Sequence, residues 1–298
     1  MKVSNPDKPI FEEAGFTKAD LVAHYESVGA SMLQFCSGRP LTLQRFPNGI
    51  SAKGFMQKNA SDHFPATIGR FEVAKADGGI TRYPVVTRVE DIAYLANQGT
   101  ITFHMWLSTA VEAHNPDWMV MDLDPSPGDA AGARAATWIT KGILDDFEIS
   151  GFPVATGSSG FHIWIPLASG QTWADVGVVA RGVAGLAAVR HPDVVTVEFL
   201  KKNRRGRVFA DWLRNHPGAT TVVPYSLRPR PEASIAMPLA WDELDSTEPG
   251  TWRLGMEHRR IDLGSHLPVT LPAARVEEMA RREGVDLDAE FDRFGRSR

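Results

Sequence analysis

The sequence predicts an α/β chain in which a mixed central β-sheet is flanked by helices, with a small helical extension at the N-terminus. Three observations carry that expectation. Trp118-Met119-Val120-Met121-Asp122-Leu123-Asp124 reads as a core strand ending in acids; residues 130–144 and 173–190 have helical patterning, each after a segment able to serve as a core strand; and short strands bounded by turn residues fill the first third of the chain.

Taken in order, Thr17 is a capping-type residue, and the helical spacing from Lys18 to Tyr25 starts a helix there. Residues 70–75 and 80–85 flank Asp77-Gly78-Gly79 and read as a hairpin. A short helix follows over residues 90–96. Ile101, Phe103, Met105 and Leu107 then alternate with Thr102, His104 and Trp106, which predicts a half-buried strand with His104 on its other face. The acidic strand and the two longer helices complete a sandwich around the sheet, with the acids at its open centre. Residues 275–294 read as an amphipathic helix packed on the body, or as an interaction surface.

At 298 residues and 43% hydrophobic content the chain can bury one large core or two small ones, and no internal repeat or low-complexity linker forces a division. A single unit over residues 1–298 is expected, made of an N-terminal part (1–50), a core (51–260) and a C-terminal helical segment (261–298). The single cysteine, Cys36, excludes an internal disulfide. The polar N-terminus lacks the apolar stretch of a signal peptide and no run reaches transmembrane length, so the expectation is a cytoplasmic protein without a membrane partner. A net charge of -4 removes any whole-molecule argument for nucleic acid; a binding surface for it must be a local patch.

The chemistry-bearing residues fall in three places. Strand alternation puts Asp122 and Asp124 on one face, with Met121 and Leu123 turned into the core. Two ionised acids that close repel unless a divalent cation sits between them, and a hard, oxygen-seeking ion such as Mg2+ or Mn2+ suits them. Asp211, in the strand-like segment Arg207-Val208-Phe209-Ala210-Asp211-Trp212, is placed to complete such a cage, the equipment of two-metal phosphoryl transfer. Acids at a strand's edge also occur where they simply face water. Second, the loop Thr156-Gly157-Ser158-Ser159-Gly160 runs into the strand bearing His162, and its backbone N–H groups can cradle a phosphate. Third, Lys201-Lys202-Asn203-Arg204-Arg205-Gly206-Arg207 is a cationic loop just before Asp211, suited to a triphosphate or a nucleic-acid backbone. Most Gly-Ser loops are plain turns and most basic runs are solvated; the conjunction of the three gives the reading its force.

These residues resemble the polymerase domain of bacterial DNA ligase D and its stand-alone primase-polymerase relatives, in the archaeo-eukaryotic primase superfamily. The resemblance runs from residue 3 to residue 244 and is tightest at Gly54-Phe55-Met56-Gln57-Lys58-Asn59-Ala60, at the Asp122/Asp124 strand, at Gly160-Phe161-His162, and from Val208 through Asn215 to Pro231. It implies a primase-like core and a template-dependent nucleotidyltransferase that fills short gaps and extends DNA ends in break or excision repair, preferring ribonucleotides. It implies Asp122, Asp124 and Asp211 as ligands of two Mn2+ or Mg2+ ions, with a primer 3'-hydroxyl attacking the α-phosphate of an NTP or dNTP in line. His104, Thr156, Ser158, Ser159, His162 and Arg228 correspond to nucleotide-binding positions, whereas Arg230, set among prolines, reads as the mark of a rigid turn. Asn5, Lys8 and Lys18 match positions that grip a 5'-phosphate across a gap or break, Phe55 matches an aromatic that stacks on the template, and Lys58, Lys201 and Arg204 extend the DNA-binding set. The implied partners are gapped or broken DNA bearing a 5'-phosphate, a separate ATP-dependent DNA ligase, and an end-binding repair protein.

The sequence departs from the family at two points. A position often aromatic is Met56, and a lysine in the loop before His162 is replaced by Ser159, a lost cation for which Lys201, Arg204 or Arg205 would compensate. Lys75-Ala76-Asp77-Gly78 matches the lysine signature of DNA ligases, but hairpin-turn chemistry explains it better and the further ligase motifs are missing. Two other readings stand beside the polymerase: a non-catalytic protein that bridges DNA ends, and a phosphatase of the haloacid dehalogenase type with Asp122 as nucleophile, disfavoured by the roughly 120 residues ahead of the motif.

Overall fold

The computed structural model describes residues 2–75, 78–257 and 261–288. Strands β1 (Pro9–Phe11) and β2 (Phe16–Thr17) form a small antiparallel hairpin that delivers Thr17 to the start of helix α1 (Lys18–Cys36). Thr17 Oγ1 accepts the amide of Asp20 at 3.4 Å while the Asp20 carboxylate accepts the amide of Thr17 at 2.7 Å, a capping box that satisfies two otherwise orphaned donors. The helix runs well past Tyr25, because Leu21, Tyr25, Val28, Met32 and Phe35 keep a buried stripe at helical spacing.

Next come β3 (Leu41–Arg45), β4 (Phe55–Gln57), β5 (Gly69–Ala74), β6 (Ile80–Val85), α2 (Val89–Asn97) and β7 (Thr100–Met105). The expected hairpin is β5 with β6; residues 76 and 77, the Asp77 of its turn among them, lie outside the described residues. The chain continues through β8 (Trp118–Asp124), α3 (Ala130–Asp146), β9 (Phe152–Ala155), β10 (Phe161–Pro166), α4 (Trp173–Arg190), β11 (Val195–Thr196), β12 (Val208–Asp211), β13 (Thr221–Val222), β14 (Met237–Pro238) and α5 (Ala273–Arg282).

Two sheets organise these elements. One is six-stranded, in the order β11-β12-β8-β10-β9-β14, and mixed, with β11 parallel to β12 and the other pairs antiparallel. The other is four-stranded and antiparallel, in the order β13-β7-β3-β4. The six-stranded sheet is covered on both faces. Trp118, Val120 and Trp164 pack towards α1, where Phe35 stacks on Trp118 at 5.7 Å, whereas Met119, Met121, Leu123, Ile163 and Ile165 pack against α3 and α4. Strand β7 is not half-exposed as its alternation suggested: Phe103 meets Tyr25 of α1 on one face, and on the other Thr102 donates to the carbonyl of Leu227, so both faces are covered.

The C-terminal expectation is corrected too. Helix α5 ends at Arg282, and Gly284 (φ +82°) follows in a conformation that favours glycine and does not continue a helix; residues 289–298 lie outside the described residues. Helix α5 approaches α4 at Gly182, where an added Cβ would come within 2.6 Å of Val276, and the segment after α5 approaches it at Gly185, where a Cβ would come within 2.3 Å of Val285. Among the described residues no helix is long and apolar enough to cross a membrane.

Candidate active site

Strand β8 carries its inward face past the end of the core. Trp118 and Val120 are buried, and the next two residues on that face are Asp122 and Asp124. Antiparallel pairing sets Asp211 of β12 opposite Asp122 on one side and His162 of β10 opposite it on the other. Together they line a cavity of 220 Å³ to which the second sheet contributes His104 from β7, and the chain beyond β13 contributes Arg228.

The loop between β9 and β10 closes another side. Thr156 Oγ1 donates to the carbonyl of Gly160 at 2.8 Å and accepts the amide of Ser158 at 3.2 Å. Gly157 has φ +65°, and a Cβ on Gly160 would stand 2.0 Å from the carbonyl oxygen of Leu123, so both glycines are required for the loop to lie against β8. Ser158 and Ser159 thereby reach the cavity rim.

Arginines surround the acids. Arg214 Nε lies 3.2 Å from Asp122 Oδ2 and 3.4 Å from Asp211 Oδ2, Arg204 Nη1 lies 2.9 Å from Asp124 Oδ2, and His162 Nε2 is 3.4 Å from Asp122 Oδ1. Burial pushes Asp122 up, but His162 and Arg214 outweigh it and hold the carboxyl at about 2. Asp211 goes the other way, to about 6, because burial and the charge of Asp122 outweigh Arg214. Burial, with Arg228 and Arg214 nearby, draws His104 down to about 3, and burial, with Arg230, draws Arg228 down to about 10.

Among the described residues no three His, Cys, Asp or Glu side chains converge closely enough to hold a metal ion as they stand. The acids are tied to Arg204 and Arg214 instead. The donor chemistry nonetheless fits a hard divalent cation: three carboxyl groups line one cavity, and burial and the charge of Asp122 push one of them, Asp211, up. An anion has a matching partner. The buried Nε of Arg228 has no hydrogen-bond partner, and among the described residues no carboxylate pairs with that guanidinium. His162 Nδ1 is likewise unpaired.

The remaining expected residues sit elsewhere. Asn5, Lys8 and Lys18 are tied together by backbone: the Lys8 amide donates to Asn5 at 3.1 Å and the Lys18 amide to Lys8 at 2.8 Å. Lys18 is 8% exposed rather than on the surface, its Nζ donates to Ser4 Oγ at 2.7 Å, and burial together with the charge of Lys8 lowers its pKa. Phe55 is 47% exposed and Met56 50%, which excludes a core role for either, and Lys58 is exposed beside them. Lys201 is exposed on a groove that adjoins the cavity. Arg204, placed in the DNA-binding set by the resemblance, is 7% exposed, bound to Asp124 and to the carbonyls of Glu198 and Phe199, and stands 4.3 Å from the Phe209 ring centroid.

Sequence reasoning assigned no role to Arg214 or Asn215 and read Arg230 only as the mark of a rigid turn. Asn215 holds both backbone groups of Val120, accepting its N–H at 2.9 Å and donating to its carbonyl at 2.7 Å, directly behind the acids. Arg230 reaches Ser158 Oγ at 2.5 Å and so does more than mark a turn. Both Arg214 and Asn215 follow Asp211 in a turn, where no periodicity signals them.

The sequence matches the family described as "LigD, primase-polymerase domain" over residues 17–266. The multifunctional non-homologous end joining protein LigD of Mycolicibacterium smegmatis is 31% identical over 265 residues, 88% of this chain and 34% of that protein. The bifunctional non-homologous end joining protein LigD of Bacillus subtilis is 30% identical over 249 residues, 83% of this chain and 40% of that protein. The chain thus spans well under half the length of these curated relatives. Among solved structures, the polymerase domain from Mycobacterium tuberculosis ligase D in complex with DNA matches with a TM-score of 0.78 and 29% sequence identity, covering 96% of each chain.

Proposed function

The chain belongs to the LigD primase-polymerase family of nucleotidyltransferases, and from that premise we propose that it extends a DNA 3'-hydroxyl across short gaps and at broken ends, with ribonucleotides preferred, in the repair of strand breaks. One observation carries the reading. A cavity between two sheets presents Asp122, Asp124 and Asp211 on one side and, on another, the partly buried guanidinium of Arg228, unpaired among the described residues, an arrangement that suits a nucleotide whose charge is divided between cations and arginine.

In this reading Asp122, Asp124 and Asp211 hold divalent cations, Mn2+ or Mg2+, which when bound supply Lewis-acid activation of the 3'-hydroxyl and neutralise the triphosphate. The chain's own residues do the positioning. Arg228 and His162 meet the negative charge of the triphosphate, Ser158 and Ser159 bring hydroxyls to it from the cavity rim, and His104 closes the sugar side. Thr221, whose buried Oγ1 has no partner among the described residues, lines the same cavity and is a candidate contact for a 2'-hydroxyl. The paired cations Lys8 and Lys18 suit a 5'-phosphate on the far side of a gap, and exposed Phe55 suits stacking on a template base. The work of this chain leaves a nick, so the proposal includes a separate ligase as partner.

The test is extension of a primer across a short gap carrying a 5'-phosphate, with Mn2+ and either ribo- or deoxyribonucleotides. Extension that disappears in Asp122→Asn/Asp124→Asn is the expected result. Tight DNA binding with no extension by the unmodified chain would replace this reading with the end-bridging one.

A further inference from the structure

The acid-lined cavity measures 220 Å³, below the roughly 300–1,000 Å³ of ordinary small-molecule sites. A nucleoside triphosphate seated there extends beyond it. Asp124, Ser158 and Ser159 also line an adjoining groove of 870 Å³, whose basic residues are Lys201, Arg230 and Arg253. The loop between cavity and groove, residues 156–160, has no charged side chain of its own.

Positive charge reaches that loop from Arg230. Its Nη2 donates to Ser158 Oγ at 2.5 Å, across 72 residues of sequence. The backbone fixes where the side chain starts: the Arg230 amide donates to Arg228 at 2.8 Å, its carbonyl accepts from Ala233 at 2.9 Å, and Pro229 and Pro231 restrict the chain on either side. Among the described residues no carboxylate pairs with Arg230, and Glu248, which lines the same groove, is taken by Arg134 at 2.9 Å. A guanidinium offers five donors, and here one is spent on a neutral hydroxyl while the rest face a solvated groove. Arg230 is also near enough for its charge to act on Arg228, so two guanidiniums bear on one region.

We propose that Arg230 is a triphosphate-binding residue of this chain, holding the terminal phosphates where the cavity opens into the groove past Ser158. The inference rests on the nucleotidyltransferase reading and names the cation that serves the uncharged loop. Lys201 lines the groove from the opposite chain segment and makes a secondary contact.

Equilibrium binding of ATP and of AMP, each with Mn2+, to the full chain and to Arg230→Gln tests it. Loss of a charge-assisted contact predicts about a ten- to hundredfold weaker affinity for ATP, with AMP affinity unchanged and the melting temperature within about 2 °C of wild type, since surface changes away from packing cost little. Ser159→Lys in the Arg230→Gln background puts a cation back on the same rim and should recover most of the lost ATP affinity. ATP affinity of Arg230→Gln within twofold of wild type would overturn the assignment while leaving a wild type that extends primers as a polymerase. A wild type that binds ATP no better than AMP would overturn both.

Discussion

Asn215 completes a strand that the backbone abandons, and replacing it should cost more than its single side chain suggests. Strand β12 pairs with β8 only from Phe209 opposite Asp124 to Asp211 opposite Asp122, and then turns away. Val120, the next residue of β8 with backbone groups on that side, would face nothing. The Asn215 amide stands in for the missing strand: Oδ1 accepts the Val120 N–H at 2.9 Å, and Nδ2 donates to the Val120 carbonyl at 2.7 Å and to the Trp212 carbonyl at 3.0 Å. Asn215 is 3% exposed and Val120 fully buried, so water cannot take over. Asn215→Ala leaves a donor and an acceptor of Val120 unsatisfied at about 1–3 kcal/mol each, or roughly 2–6 kcal/mol in all. With an unfolding entropy of about 2.1 cal/mol/K per residue, that corresponds to a melting temperature lower by about 3–10 °C for a chain of this length. Thermal denaturation followed by circular dichroism measures it. Primer extension below the unfolding range should fall further than the folded fraction does, because Val120 and Trp212 flank Asp122 and Asp211 in sequence. A melting temperature within about 2 °C of wild type, with extension intact, would refute the idea that Asn215 sets the register of the acids.

Two further outcomes follow from groups around the site. His104 is drawn down to about 3, so the unfolded chain takes up a proton near pH 6.5 that the folded chain refuses; its neutral burial costs nothing above pH 6.5 and lowers stability as pH falls from there towards 3. Between pH 7 and 5 the wild type should lose about 2 kcal/mol more than His104→Gln, and denaturant titrations with parallel pH dependence in the two proteins would contradict it. Lys18 lies beside Lys8 with, among the described residues, only the Ser4 hydroxyl as its side-chain partner, so Lys18→Ala should weaken binding of a 5'-phosphorylated gap about tenfold and leave an unphosphorylated gap unaffected; equal losses on both substrates, by fluorescence anisotropy, would remove the phosphate-specific role.

What could be read from the sequence was whatever obeys a local period. Alternation along β8 put Asp122 and Asp124 on one face, and Thr17 announced α1. The polar contacts that decide the site's charge state have no such signature. Arg204 meets Asp124 across 80 residues, Arg230 meets Ser158 across 72, and Asn215 meets Val120 across 95. Each lies in a turn or irregular segment, where the direction of a side chain depends on tertiary packing rather than on spacing. The same applies to Lys18, which looks like a surface lysine until the N-terminal segment folds over it; Asn97 anchors that segment by accepting the Ser4 amide at 3.1 Å. The overlong C-terminal helix is a different error, since Gly284 was a readable stop that amphipathic patterning overrode.

The arginines that hold the acids are not equivalent, and their difference bears on how the site would accept a cation. Arg214 is 44% exposed at its side chain, and among the described residues its guanidinium has only the acids as partners. Water can replace them at small cost, so a cation that takes Asp122 and Asp211 displaces an arginine with an easy exit. Arg204 is buried, and the carbonyls of Glu198 and Phe199 hold it at 3.1 and 3.0 Å whatever Asp124 does. Freeing Asp124 therefore leaves a buried guanidinium that keeps two of its hydrogen bonds but loses its counter-charge, a cost paid only by a ligand that brings negative charge alongside the metal. A nucleotide carrying its own phosphates meets that condition and a bare cation does not. On the proposed reading, Asp124 would accept metal and triphosphate together, while Asp122 and Asp211 would remain open to a cation alone.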